Sequence, residues 1–460
     1  MTFSEDSIVA LSTPPGRGGI GVIRVSGPAS LSILRRMTSP ELVTPKPNYM
    51  TLRDVIDPFS RETLDHALVC YFKAPHSFTG ENIVEFHCHG SPVLLRRIID
   101  SVLRLDARLA DPGEFSLRAV RNGRLQLSEA EAIRDLIDAQ TDSAAQQATR
   151  QLAGEISHRL QPAKEQLLKI IVRLESSLEF VEDDLPQVER HDIESALESL
   201  RTDLRSLANT FARGQLLREG LTVALVGRPN AGKSSLFNRL LGHERAIVTA
   251  IPGTTRDTIS EPIGLAGIPV TLVDTAGIRV TSEQIESMGV DRTRRAAADA
   301  DLLVVVIDGS QRTNEEDEAV LEQASTKTHV IALNKSDLPT FSNPLIEDRD
   351  GTNGSRIPAV SVSAATEQGL SDLRAAILKP FVNGNGAGED LMITNARHHD
   401  LLTRAINSIA SSEELIRSNA GEEIVLIGLH NALRSLGEIT GETTTEDMLG
   451  EIFSTFCIGK

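Results

Sequence analysis

The chain has 460 residues, 40 % hydrophobic and 24 % charged, with no tryptophan and a net charge of −17. That length calls for several domains, and the acidity excludes a general polyanion binder, which needs clustered Lys and Arg to release counterions. Three cysteines, Cys70, Cys88 and Cys457, are too few for a disulfide framework, the acidic opening does not read as a secretory leader, and no apolar run is of spanning length, so a reducing cytoplasm is the expected compartment.

Strand-like runs lie at Ile20–Val25, His66–Phe72 and Ile83–His87, with a helical pattern from Val93 to Leu105. They predict an N-terminal α+β domain, with ordered turns at Pro14-Pro15-Gly16-Arg17-Gly18-Gly19 and Asp111-Pro112-Gly113. At Ser128 the texture changes. Ser128-Glu129-Ala130-Glu131 reads as a capping box, followed by Ala132, Ile133, Leu136 and Ile137 at helical spacing. Helical sequence runs on to about Ala212, with breaks expected near Pro162 and Asp183-Asp184-Leu185-Pro186.

A buried-strand run, Val223-Ala224-Leu225-Val226, then opens a series of apolar strands at Val270–Val273, Leu302–Ile307, Val330–Leu333 and Ala359–Val362. Strands alternating with helices predict a doubly wound, mostly parallel α/β sheet. Asn383-Gly384-Asn385-Gly386-Ala387-Gly388 reads as a linker, and helical patterns return at 395–418 and 422–438. The fold class expected is multidomain: an α+β domain at 1–122, an all-helical domain at 123–218 and 381–460, and an α/β domain at 219–380 inserted into it.

The inserted domain carries the chemistry. Gly227-Arg228-Pro229-Asn230-Ala231-Gly232-Lys233-Ser234 has the G-x-x-x-x-G-K-S spacing of a phosphate loop, whose backbone N–H groups close on a β-phosphate at a helix N-terminus. Lys233 is placed to reach the β- and γ-phosphates and Ser234 to ligate Mg²⁺, with Ser235 behind it. Thr254-Thr255-Arg256-Asp257 has the composition of a switch over the γ-phosphate, Thr255 being the better Mg²⁺ ligand. Asp274-Thr275-Ala276-Gly277 ends an apolar strand: Asp274 suits water-mediated Mg²⁺ binding and the Gly277 N–H suits γ-phosphate sensing. In Asn334-Lys335-Ser336-Asp337 the Asp337 carboxylate matches guanine N1–H and N2–H, donors adenine does not offer together. Ser363-Ala364-Ala365 is expected to support the base. Five such motifs in this order imply GTP binding and hydrolysis. The residue after Asp274-Thr275-Ala276-Gly277 is Ile278, which cannot orient water as a glutamine there does. Ser282-Glu283-Gln284-Ile285-Glu286 offers acidic candidates instead, and Asn230 a neutral oxygen suited to a monovalent cation.

Outside that domain the residues alone leave alternatives open. Cys457 is either a reactive thiol or a recognition residue. His87 and His89 share a strand face but lack zinc-type companions. Arg17, Arg24 and Arg118 are candidates for an anion site, and Glu175, Glu179, Glu182, Asp183 and Asp184 form either a solvated face or a dock for a basic partner.

Beyond these motifs the chain resembles, over essentially its whole length, the MnmE (TrmE) family of bacterial tRNA-modification GTPases. The resemblance is carried by Ile8-Val9-Ala10, the turn Thr13 to Gly19, Phe78-Thr79-Gly80-Glu81, Asp111 to Ser116, Ile439-Thr440-Gly441-Glu442 and Phe456-Cys457-Ile458-Gly459-Lys460. It implies a homodimer whose N-terminal domain dimerises and binds a tetrahydrofolate derivative (5-formyl or methylene form) through Arg24, Glu85, Arg124 and Lys460. It implies K⁺ held by Asn230, Thr249, Ile251 and Thr254, and Mg²⁺ on Ser234 and Thr255. Thr249-Ala250-Ile251-Pro252-Gly253-Thr254-Thr255 would close over the nucleotide, Glu286 would orient the attacking water, and Arg279 would lie in the same switch. It further implies a flavin- and NADH-using partner protein, in a heterotetramer or larger complex, with which the GTPase installs a carboxymethylaminomethyl or aminomethyl group at C5 of the wobble uridine of certain tRNAs. Two positions depart from the family pattern: Arg124 stands where a lysine occurs, and Cys88-His89-Gly90-Ser91 replaces a glycine-rich turn. The competing reading is a ribosome-assembly or RNA-binding GTPase switch. Such switches usually carry a basic RNA-binding module after the GTPase domain, where this chain has an acidic helical segment.

Overall fold

A computed structural model describes residues 6–38, 45–179, 187–242, 259–274, 297–342, 359–382, 391–442 and 444–459. The chain divides into two compact units, one of residues 1–134, 152–161 and 433–460, the other of 135–151 and 162–432. No helix among the described residues is long and apolar enough to cross a membrane.

The first unit is built on a six-stranded sheet of β1 (Ser7–Leu11), β2 (Gly18–Ser26), β3 (Thr51–Ile56), β4 (Thr63–Phe72), β5 (Ile83–Gly90) and β6 (Ala107–Leu109). The spatial order is β3-β4-β5-β2-β1-β6. Alternate residues Ile23, Val25, Val84, Phe86, Val55 and Val69 point to one face and meet the helices Ser30–Met37 and Pro92–Leu103 through Ile33, Leu34, Ile98 and Val102. The other face brings Arg24 opposite Glu85 and Val22 opposite His87. A smaller core follows, where Leu449, Phe453 and Phe456 pack on Leu127 and Ala130. Residues near 457–459 lie against the first strand, the Ser12 hydroxyl donating to the Gly459 carbonyl at 3.1 Å.

The second unit holds β7 (Leu221–Val226), β8 (Ile259–Leu265), β9 (Ile268–Asp274), β10 (Leu302–Asp308), β11 (His329–Asn334) and β12 (Ala359–Ser361) in the order β12-β11-β10-β7-β9-β8. All neighbours are parallel except β8, which runs antiparallel to β9. All seven residues of β10 are buried, the continuous apolar run expected of a strand covered on both faces. The helix Lys233–Leu241 covers one face with Leu236, Phe237 and Leu240. Long helices, Gln187–Ala208 and Ala396–Arg417, pack along each other in the same unit, and Arg201 donates to Glu413 at 3.1 Å.

Two sequence expectations fail. The helix expected to open with Ser128 as its cap spans Leu127–Asp138. Glu129 instead accepts from the Gln126 N–H at 2.8 Å, and the Ser128 hydroxyl is buried without a partner. The acidic half of the box is real, but its register is two residues earlier. Pro162 does not break its helix, which runs from Glu155 to Glu179. A proline removes one backbone bond and crowds the preceding turn, and the buried side chains Ile156, Leu160, Leu167, Ile170 and Ile171 offset that cost. The second expected break, Asp183 to Pro186, lies outside the described residues.

Candidate functional site

The nucleotide-binding geometry grows out of the strand ends. Strand β7 runs into the phosphate loop and the helix Lys233–Leu241 starts directly after Gly232. Gly232 sits at φ +96°, and a Cβ there would lie 2.2 Å from Asn334 Nδ2, so this position requires glycine. Asn230 also takes a left-handed backbone, φ 64°, a conformation asparagine tolerates better than most residues, and it is exposed. Lys233 is buried, and its ammonium donates to the Gly227 and Arg228 carbonyls at 2.7 and 2.8 Å. Burial pushes the Lys233 amine down from its ordinary value, with Asp274 pulling it back up. Ser234 is exposed at the helix N-terminus, while Asp274 is buried at the end of β9. Their hard oxygen donors suit Mg²⁺.

Asn334 bridges the phosphate loop and the base loop. Its amide nitrogen donates to the Ala231 carbonyl at 3.0 Å and its oxygen accepts from the Ala364 N–H at 3.1 Å. The Ser363 hydroxyl donates to Asp337 at 2.6 Å and orients that exposed carboxylate. The Ser336 N–H donates to the Val362 carbonyl at 3.0 Å, and the Ala365 N–H to the Ser363 hydroxyl at 3.2 Å. A cavity of ≈ 820 Å³ is lined by Gly232, Ser235, Asn334, Lys335, Asp337 and Ala364, among others.

Some of the structure's contributors carry no motif. Asp308, at the end of β10, holds the Lys335 ammonium at 2.5 Å. Burial would raise the Asp308 carboxyl, but Lys335 and Ser310 outweigh it and hold it low. Arg239 ties the helix Lys233–Leu241 to the base loop. Only its position six residues past a phosphate-loop lysine could have marked it. Thr249, Ala250, Ile251, Pro252, Gly253, Thr254, Thr255, Thr275, Ala276, Gly277, Arg279 and Glu286 lie outside the described residues.

In the N-terminal unit Arg24 donates to Glu85 at 2.8 Å, and its guanidinium lies 5.6 Å over the Phe78 ring and 5.7 Å over that of Phe115. The second Glu85 oxygen meets His87 at 3.2 Å. Arg124 donates to the Ser77 carbonyl at 3.1 Å. Ser77 and Phe78 are adjacent, so one short stretch touches both arginines. Lys460 lies outside the described residues.

Arg118, an anion-site candidate by sequence, is closed to a ligand. It is buried and already saturated, donating to Glu114 at 2.8 Å, Asp6 at 2.8 Å and Glu81 at 3.1 Å. Such a cluster ties elements together and leaves no donor for a ligand. Arg17 is exposed. His89 bonds Asp65 at 2.7 Å. Cys457 is exposed, and its carbonyl accepts from the Gly113 N–H at 3.3 Å.

Residues 7–124 match the family model described as the GTP-binding protein TrmE N-terminus, and residues 127–457 that of the MnmE helical domain. The chain is 44 % identical over 462 residues to a tRNA modification GTPase MnmE of Koribacter versatilis (strain Ellin345), across 99 % of each chain. It is 42 % identical to the protein of that name in Aquifex aeolicus (strain VF5), across 99 % of this chain and 100 % of that one. The Natranaerobius thermophilus protein of the same name is 40 % identical across 100 % of both.

Proposed function

The chain belongs to the MnmE family of tRNA modification GTPases, and we propose that it acts there as a K⁺-activated homodimer working with a flavin- and NADH-using partner on C5 of the wobble uridine. As a family member it is an enzyme that hydrolyses GTP to GDP and phosphate, with Mg²⁺, in the course of tRNA modification. The observation that carries the nucleotide reading is the bonded frame Ala231–Asn334–Ala364 with Ser363–Asp337. It ties the Asp337 loop to the phosphate loop, which supports a guanine-reading role for that carboxylate.

The residue roles proposed are these. Asn230 to Ser235, Thr249 to Thr255, Asp274 to Gly277, Asn334 to Asp337 and Ser363 to Ala365 bind GTP. Ser234 and Thr255 ligate Mg²⁺, which neutralises phosphate charge. Asn230, Thr249, Ile251 and Thr254 hold K⁺, whose charge takes the place of an arginine finger. Glu286 orients water, and Lys233 and Arg279 stabilise charge. The exposure of Asn230, which leaves its amide oxygen open to a cation, supports the cation reading. Arg24, Glu85, Arg124 and Lys460 hold a tetrahydrofolate derivative, which supplies the one-carbon unit. A Glu85 carboxylate pinned by Arg24 fits the paired N–H donors of a pterin edge. Domain limits of 1–122, 123–218, 219–380 and 381–460 go with this reading, as does a cytoplasmic site of action.

The test is GTP turnover in matched KCl and NaCl. K⁺ is expected to accelerate hydrolysis by about a hundredfold or more, the scale of one transition-state charge contact, and Asn230→Ala to abolish the difference. Equal rates in the two salts would remove the cation from the mechanism.

A further inference from the structure

The phosphate loop and the base loop are separate pieces of chain, yet a nucleotide spans both. One link between them, Asn334, belongs to a recognised motif. A second does not. Arg239 lies in the last turn of the helix Lys233–Leu241, about 9 Å along the axis from Lys233. Its guanidinium donates to the Ala364 carbonyl at 3.0 Å, the Ala365 carbonyl at 3.1 Å and Glu367 at 2.7 Å. The Ala364 N–H is already bonded to Asn334, so this residue is held at both its carbonyl and its N–H. Arg239 and Asp337 also line the same cavity.

We infer that Arg239 is a positioning residue for the nucleotide: by clamping two base-loop carbonyls to the helix that follows the phosphate loop, it fixes the base-to-phosphate span and slows nucleotide release. The inference deepens, and rests on, the guanine-site reading. The ordinary alternative is a surface ion pair with Glu367, both side chains being 40 % exposed, and such pairs contribute little. The two readings differ in which partner matters. A planar fork can serve two carbonyls and a carboxylate at once, whereas an ammonium cannot match that geometry.

The experiment compares Arg239→Ala, Arg239→Lys and Glu367→Gln by GDP dissociation rate and steady-state GTP hydrolysis. Arg239→Ala is expected to release GDP about tenfold faster and raise KM for GTP to a similar degree, the loss of one to two net hydrogen bonds. Saturated kcat should stay within about twofold, since the clamp touches no reacting atom. Glu367→Gln should change neither constant, and Arg239→Lys should recover only part of the loss. Unchanged GDP release in Arg239→Ala, or equal defects in Arg239→Ala and Glu367→Gln, would overturn the inference. If Arg239→Ala does not fold, Arg239→Met, which keeps the stem, carries the same expectations. Asp337→Asn separates the two levels. Its amide offers a donor to the C2 oxygen of xanthine, so preference should move to xanthosine nucleotides. Failure of that swap would sink the guanine reading itself, whatever Arg239 does.

Discussion

Cys457 and Cys88 differ in exposure, and a thiol must be reachable to react. Cys88 is buried, and burial together with Asp65 pushes its thiol up to about 12. Burial and Glu85 raise Cys70 as well, whereas Cys457 is exposed. At pH 8, iodoacetamide should label Cys457 and spare the other two until denaturant is added, as mass spectrometry would read. Early labelling of Cys88 would mean that the N-terminal sheet opens. Asp57 sets an acid limit on the same unit. Its carboxylate accepts from the Ser60 and Phe59 N–H groups at 2.8 Å each, and from the Ser101 hydroxyl at 2.9 Å. The backbone bonds hold it down to about 2 against the opposing effect of burial. A lowered carboxylate stabilises fully above its unfolded value near 3.8, and loses that contribution as pH falls through about 2. Asp57→Asn should cost about 1–2 kcal/mol at pH 7, with the deficit shrinking toward pH 2 in denaturant titrations. At this scale the glycine-and-lysine spacing of the phosphate loop was readable because backbone geometry dictates it. The fate of Arg118 was not, because its partners Asp6 and Glu81 come from distant parts of the chain.

The helix through Pro162 shows how packing overrides a local rule. Pro162 is exposed, and its ring costs the helix a bond that alanine would restore. Pro162→Ala should therefore raise stability by about 1–3 kcal/mol, seen as a higher thermal midpoint. No gain would mean that the proline is strain-free there. Strand β8 was missed in the sequence for a related reason. Ile259-Ser260-Glu261-Pro262-Ile263-Gly264-Leu265 contains Pro262 and little apolar alternation, but β8 is an edge, where a proline can face away from the single ladder to β9. The strands β7, β10 and β11 were legible because burial on both faces leaves them uniformly apolar. The β8–β9 turn itself is anchored. The Thr141 hydroxyl donates to the Gly267 carbonyl at 2.7 Å, and Gly267, at φ +83°, leaves 2.3 Å between an added Cβ and the Ser143 hydroxyl. Thr141→Val should cost about 1 kcal/mol and Gly267→Ala more, by urea unfolding.

For the whole molecule the governing quantity is its charge of −17. A tRNA approaching it meets net repulsion, so docking is expected at a local patch or through a more basic partner, with few phosphate contacts on this chain. The affinity for tRNA should then fall only weakly with salt, with a log–log slope no steeper than about −3, against about −10 for a protein neutralising many phosphates. A steep slope would reveal a large basic patch. The core of Leu127 and Ala130 with Leu449, Phe453 and Phe456 has a different consequence, one of timing. Residues 433–460 belong to the same unit as residues 1–134 but are synthesised about 300 positions later. At roughly 5–20 residues per second, the ribosome leaves that greasy seat bare for about 15–60 s. The opening unit of the nascent chain is thus a natural client for a chaperone until its own distant segment arrives to close it.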